Sequence, residues 1–231
     1  MRLSLVLAAA TIIWGALSGS WFGCQLGGLR VLTDTKVKNA SVQVFCFALA
    51  LAQLSLGHLW KAWRGSWRER LANLGWIMIL CGNFMTAVKM IARPDWFQSA
   101  LLFSFYVPGL LLVILFAVNW KNIANVFQFP FDIINSFTDV LSYIRLFAVG
   151  LSGAYIAGTF NDMAVDVAKA SPWLIIVAVI CIVAGHGLNL ALGMMSVLVH
   201  AVRLNTLEFS NHTGLTWSGS AFKPFKHKNK E

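Results

Sequence analysis

Two arginines stand well inside the last two apolar runs of this 231-residue chain, Arg145 within Phe131 to Asn161 and Arg203 within Pro172 to Phe209. A guanidinium keeps its charge at any relevant pH. Holding one in a bilayer costs at least about 2.5–3.5 kcal/mol on insertion scales, so such a group almost always faces a partner or an aqueous cavity. The chemistry open to a fixed intramembrane cation is electrostatic: attracting an anion, or displacing the ion that an anion carries. On a helical wheel of about 100° per residue, Gly185, Asn189, Ser196, His200, Thr206 and Ser210 fall within about 60° of Arg203. In an otherwise apolar helix such a stripe lines water or a polar partner, because polar groups against lipid tails would be unsatisfied. The competing reading is a set of interhelical hydrogen bonds that only hold the bundle together. That reading suits Ser196 and Thr206, whose hydroxyls can bond their own backbone. Asn, His and Arg on the same stripe favour an ion pathway.

Around Arg145 the corresponding face is Thr138, Ser142, Ala148, Val149 and Ser152. It is smooth, which leaves the cation as the most protruding group and suits contact with a surface that slides past. A permanent ion pair with Asp132 or Asp139 is the alternative. Asp139 is six residues away, on the opposite side of the wheel, so an intrahelical pair with Arg145 is not expected.

Other site chemistries lack their residues. Cys24, Cys46, Cys81 and Cys181 show no CxxC spacing, and the five histidines form no HxxxH or HExxH pair. Neither a disulfide framework nor a metal-ligand set is expected, and no cofactor.

The elements that position the arginines follow from composition. With 58% hydrophobic and 12% charged residues, the chain has too little polar surface for a soluble domain of its size. Apolar runs near the roughly 20 residues needed to span a bilayer extend from Leu3 to Phe22, Ala40 to Trp60, Asn73 to Ala92, Phe97 to Val118, Phe131 to Asn161 and Pro172 to Phe209. They lack the period-two alternation of a membrane barrel. The expected fold is an all-α polytopic membrane protein of about six transmembrane helices, the last two long and steeply tilted. The first run is too long for a signal-peptide core of about 7–15 residues, and it is read as a retained span. Gly15, Gly19 and Gly23 give that run a small-xxx-small packing pattern. The organisation expected is a four-helix membrane scaffold over 1–130, two ion-channel helices over 131–211 and a basic cytoplasmic tail over 212–231.

Orientation follows from the connections. One side carries Arg2, Lys61, Arg64, Arg68, Arg70, Lys121, Lys223, Lys226, Lys228 and Lys230, and the other Arg30, Lys36, Lys38, Arg93 and Lys169. The positive-inside rule then puts both termini in the cytoplasm. The net charge of +9 is accordingly a topology signal and a surface for anionic lipid, not a nucleic-acid footprint.

The stretch Leu141-Ser142-Tyr143-Ile144-Arg145-Leu146-Phe147-Ala148, with Gly150-Leu151 and Phe160-Asn161 after it, resembles the penultimate membrane helix of the stator subunit of V/A-type ATPases, called subunit a or subunit I. Gly185-His186 with Asn189, then His200-Ala201-Val202-Arg203-Leu204 and Glu208-Phe209, resembles the last helix of the bacterial version, as does the tail Phe222-Lys223-Pro224-Phe225. Ile13-Trp14-Gly15 through Gly23 agrees with an earlier membrane segment. The resemblance implies that Arg145 and Arg203 face the ion-carrying carboxylates of a rotor proteolipid ring, and that Glu208 is the family's acidic position near the cytoplasmic end. It implies a non-catalytic subunit that carries H⁺ or Na⁺, with peripheral-stalk and other V/A-ATPase subunits as partners, in a bacterial inner membrane. Eukaryotic members have His where this chain has Gly153 and Glu near the position of Gly193. His186, Asn189 and His200, with Ser196, are expected to line the path instead. The family also begins with a large cytoplasmic domain, so either the chain is a fragment or another polypeptide supplies the connection to the motor head. A stand-alone secondary transporter or ion channel, or a purely structural scaffold, is the alternative. No repeat of the transporter kind is visible.

Overall fold

The computed structural model describes residues 2–18, 20–25, 35–118, 123–215 and 219. Helix α1 (Arg2–Ser18) is followed by a two-residue hairpin, β1 (Ser20–Trp21) against β2 (Cys24–Gln25), with Ser20 opposite Gln25. Then come α2 (Thr35–Arg64), α3 (Trp67–Ala87) with a π-helical extension Val88–Ala92, and α4 (Ser99–Phe116). Helix α5 (Ile123–Ser142) leads into α6 (Ile144–Ala170). Helix α7 opens with a 3₁₀ turn at Pro172–Leu174 and is α-helical over Ile175–Ser196. It ends through π turns at Val197–Ala201 and Leu204–Phe209 and a last α turn at Ser210–Thr213. Among the described residues everything outside the hairpin and the connections is helical, as expected.

Five runs are long and apolar enough to cross a membrane: Asn39–Arg64, Trp67–Ala92, Ser99–Phe116, Asn125–Ala170 and Pro172–Thr213. The first apolar helix is shorter than expected. It ends at Ser18, and the chain reverses at Phe22 and Gly23, both at positive φ. A Cβ on Gly23 would lie 2.9 Å from the backbone of Ala157, so only glycine lets this turn rest on α6. Gly23 therefore serves a turn rather than a helical small-xxx-small face. Gly19, Arg30, Lys121 and the tail beyond Leu215, apart from Gly219, lie outside the described residues.

The last two runs contain 46 and 42 residues. Straight, they would measure about 69 and 63 Å at 1.5 Å per residue, about twice a 30 Å bilayer core, so they must incline or project. The run expected from Phe131 begins earlier, at Ile123, and carries Pro130 inside it. Ile123, Phe127, Phe131 and Ile134, spaced three or four apart, form one exposed apolar face across the proline. The expected continuous helix also tightens at Tyr143, where Tyr143 N–H donates to the Val140 carbonyl at 3.3 Å and Leu146 N–H to the Tyr143 carbonyl at 3.0 Å. These are i→i+3 bonds, which break the run into α5 and α6 two residues before Arg145.

Helices α2, α3 and α4 form the packed part that carries this pair of runs. Phe47, Ala50 and Leu54 of α2, Leu80, Ala87 and Val88 of the α3 run, Val140 and Tyr143, and Leu204 of α7 share one buried cluster. Where α3, α4 and α5 meet, polar side chains pair with one another, as a bilayer demands. Tyr106 Oη donates to Asn83 Oδ1 at 2.8 Å, and Asn83 Nδ2 donates to Ser136 Oγ at 3.2 Å, tying α4 and α3 to α5. Helices α3 and α4 meet backbone to backbone, because a Cβ on Gly75 would lie 2.9 Å from the Gly109 carbonyl oxygen. Gly75→Val should therefore overpack this contact and cost about 1–3 kcal/mol. Gly187→Ala, where a Cβ meets nothing within 4 Å, should cost far less. Thermal unfolding of the two variants in one detergent measures the difference, and equal midpoints would contradict this packing.

Candidate ion-translocation site

Arg145 stands on the first turn of α6, directly after the tightened turn. Among the described residues it makes no hydrogen bond and no ion pair. Asp139 does not reach it. That carboxylate instead takes His212 Nε2 at 3.0 Å, from the end of α7. Arg203 has its side chain half exposed, with Nε 3.9 Å from Oε1 of the buried Glu208. At that distance the pair is ionic, without a hydrogen bond. Five residues lie about 140° apart on an ideal α-helix. The i→i+5 bonding of the π turn over Leu204–Phe209 brings the two side chains to the same side. The two π turns also mean that a uniform α-helical wheel does not describe α7 beyond Ser196. Ser210 is accordingly buried, with its hydroxyl on the Thr206 and Leu207 carbonyls, while Arg203 is half exposed.

Ile144 packs against the buried cluster and Leu204 is part of it, so the residues adjoining Arg145 and Arg203 meet at one core. A cavity of about 420 Å³ lies between α6 and α7, its lining beginning at Leu146, directly after Arg145. Ser152, Gly153, Asn189, Gly193 and Ser196 line it. Gly153 of α6 and Gly193 of α7 thus open onto the same space. Asn189 Nδ2 donates to the Gly153 carbonyl at 3.1 Å, and its side-chain oxygen sits where a Cβ on Gly153 would come within 3.0 Å.

The remaining polar residues of α7 divide. His186 Nε2 lies 3.1 Å from Asn161 Oδ1, with the Phe22 ring edge-on to the imidazole at 5.6 Å. Asn161 Nδ2 donates to the Phe22 carbonyl at 2.7 Å. His186 therefore ties α7 to α6 and to the β1–β2 turn. Thr206 bonds its own backbone at Val202. His200 Nδ1, Glu208 Oε2 and the hydroxyl of Tyr143 are buried and have no protein partner. Such orphans are rare in native structures and mark water, an ion or a reactive role. The Tyr143 hydroxyl is within coulombic range of the Glu208 carboxylate. Tyr143, His58 and His212 were not singled out from the sequence. Tyr143 reads as an aromatic in an apolar run, and the two histidines meet across 154 residues. The one local signal was the placement of His212 four residues after Glu208 at the end of an apolar helix.

No family model matches the chain, and no solved structure matches it. Curated relatives do. The chain is 34% identical to the V-type ATP synthase subunit I of Borreliella burgdorferi, over 97% of this chain and 41% of that protein. It is 34% identical to the V-type ATP synthase subunit I 1 of Treponema pallidum, over 98% of this chain and 40% of that protein. To the A-type ATP synthase subunit I of Pyrococcus abyssi it is 29% identical, over 98% of this chain and 36% of that protein. The chain thus spans about two fifths of the length of the curated relatives it matches. The likeness runs through almost the whole chain in these V-type and A-type relatives alike.

Proposed function

We propose that this chain is the membrane part of the stator subunit of a rotary V/A-type ATPase, where it carries H⁺ or Na⁺ past a rotor proteolipid ring. The observation that carries the reading is Arg145, a permanent cation in the apolar layer that has no counterion among the described residues. A membrane-embedded cation needs an anion or water. A carboxylate arriving on a partner that slides past α6 supplies the anion.

In this mechanism a rotor carboxylate crosses the lipid-facing arc only when neutralised by its ion, because a charged one would be too costly there. Arg145, with Arg203 beside the same core, attracts the ionised carboxylate and displaces the ion. The same charges block a direct leak. The cavity at Ser152, Asn189 and Ser196 serves as access from one side of the arginines. The buried, unpartnered oxygens of Tyr143 and Glu208, with His200, serve as access from the other. The packed helices over 1–130 hold the channel helices over 131–211, and the basic residues over 212–231 face the cytoplasm. Each charge moved is worth about 2.3 kcal/mol per 100 mV, so several must pass for every ATP. The chain itself performs no covalent chemistry.

Arg145→Ala and Arg145→Gln should leave the complex assembled and abolish ATP-driven ion uptake in reconstituted vesicles. Arg145→Lys should also fail badly, because a compact, strongly hydrated ammonium lacks the planar fork and can lose its proton when buried. Arg203→Ala should be damaging but less complete, since Arg203 shares its site with Glu208. Near-normal uptake by assembled Arg145→Ala complexes contradicts the stator mechanism and favours a scaffold. A second expectation concerns the cavity. Single cysteines at Asn189 and Ser196 should react with a water-soluble thiol reagent several-fold faster than one at Leu198, which is exposed on the outer face of α7. Equal rates would leave the polar residues of α7 as interhelical bonds alone.

A further inference from the structure

A four-residue hydrogen-bonded chain, buried except for the partly exposed Asp139, lies where α2, α3, α5 and the end of α7 converge. His58 Nδ1 is 2.9 Å from Asn73 Oδ1, His58 Nε2 is 2.7 Å from His212 Nδ1, and His212 Nε2 is 3.0 Å from Asp139 Oδ2. The orientation of Asn73 is fixed, because its Nδ2 donates to the Glu69 carbonyl at 2.8 Å. Asn73 Oδ1 can therefore only accept, and His58 Nδ1 must carry a hydrogen. Three contacts then require three hydrogens on the ring nitrogens and the carboxyl group. Two neutral imidazoles supply two. The third is an added proton, whether it makes one ring an imidazolium or Asp139 an acid. Without it, one of the three contacts faces lone pair to lone pair between buried or half-buried groups.

The assembly is not a wire. One end is the Asn73 amide, which neither takes nor releases a proton, so a proton arriving at Asp139 has no exit there. What the chain does join is mechanical. His212 sits in the last turn of α7, directly before Gly214, whose positive φ ends the helix. A Cβ on Gly57 would lie 3.3 Å from His212 Cβ, so α2 and the end of α7 are in close contact. Asp139 lies six residues before Arg145 and His212 nine after Arg203, or roughly 9 and 13 Å along their helices at 1.5 Å per residue. Both arginine-bearing runs are thus pinned to the same point on α2 and α3.

We propose that Asp139, His212 and His58 form a one-proton lock that positions Arg145 and Arg203, and that releases the end of α7 when the proton leaves. Its consequence for transport rests on the stator reading above, while its structural consequence does not. The charged and titratable groups around it are Lys61, Glu69, Glu208, Tyr143, Arg68 and Arg70. Lys61 lies within coulombic range of His58 and alongside Gly214. The Glu69 carboxylate accepts from the Ser66 N–H at 2.8 Å, Glu208 faces Arg203, and Trp76 stacks over His58. Tyr143 lies within coulombic range of both Asp139 and Glu208. Arg68 and Arg70 donate to the Phe116 and Gly65 carbonyls.

The sign follows from the proton count. Raising the pH removes the proton and opens the lock. Asp139→Asn supplies an amide N–H in place of it, so that each of the three contacts has one hydrogen with both imidazoles neutral and no added proton is needed. Asp139→Ala breaks the chain at every pH. Hydrogen exchange read by mass spectrometry on the full chain in detergent, corrected for the intrinsic effect of pH, follows the amides of 204–215. In the wild type their exchange should quicken several-fold from mildly acidic to alkaline pH. Asp139→Asn should stay protected throughout, and Asp139→Ala should be unprotected throughout. Protection that is independent of pH in the wild type, or that falls with pH in Asp139→Asn as it does in the wild type, overturns the lock. In vesicles, assembled Asp139→Asn complexes should retain ATP-driven uptake without the alkaline decline. Absent uptake with normal protection would make Asp139 a proton-transfer group and also overturn it. Failure of the stator reading itself would show in the Arg145 variants and leave the exchange result intact.

Discussion

A guanidinium in the apolar layer must be given either an anion or water, and the rest of this structure is organised around two of them. Arg203 has the buried carboxylate of Glu208 at 3.9 Å, too far for a hydrogen bond, with the other carboxylate oxygen unpartnered. Arg145 has nothing of the kind among the described residues. Burying an ionised group without compensation is among the most costly things a membrane protein can do. The proposed rotor carboxylate turns that cost into the driving interaction: the site is satisfied only when its partner is in place.

Holding such a site open requires a rigid surround. The Tyr106–Asn83–Ser136 bonds leave few free polar groups where α3, α4 and α5 meet. Backbone contact at Gly75 and Gly109 packs α3 on α4, and the cluster from Phe47 to Leu204 joins α2 to both arginine-bearing runs. Several departures from regular helix fall next to the arginines. The i→i+3 turn at Tyr143 precedes Arg145, and the π turns flank Arg203. Such interruptions free backbone and rotate faces, and π turns occur frequently at functional sites.

The long apolar runs and the arginines inside them were legible in the sequence, because hydropathy over some 20 residues and a charge within it are local properties. The number of long spans was less so. The first run reads as apolar through Phe22, but the turn at Phe22 and Gly23 depends on contact with Ala157 and Asn161 far along the chain. The face that Arg203 shares with its neighbours was set by an assumed α-helical period, which the π turns alter. His58 and His212 each read as a lone histidine near the end of an apolar run. Only the packing of α2 against α7 makes them partners.

The central claim is that α6 presents Arg145 to a moving ring of proteolipids. Site-specific photo-crosslinking tests it most directly. A photoreactive residue at Ala148, exposed and within a turn of Arg145, would be activated in native membranes and its adducts identified by mass spectrometry. The account predicts covalent attachment to a small, acidic-residue-bearing membrane proteolipid, with no such adduct from the same probe at Trp173 near the start of α7. Adducts to lipid alone at Ala148, in membranes where the assembled ATPase is present, would contradict it.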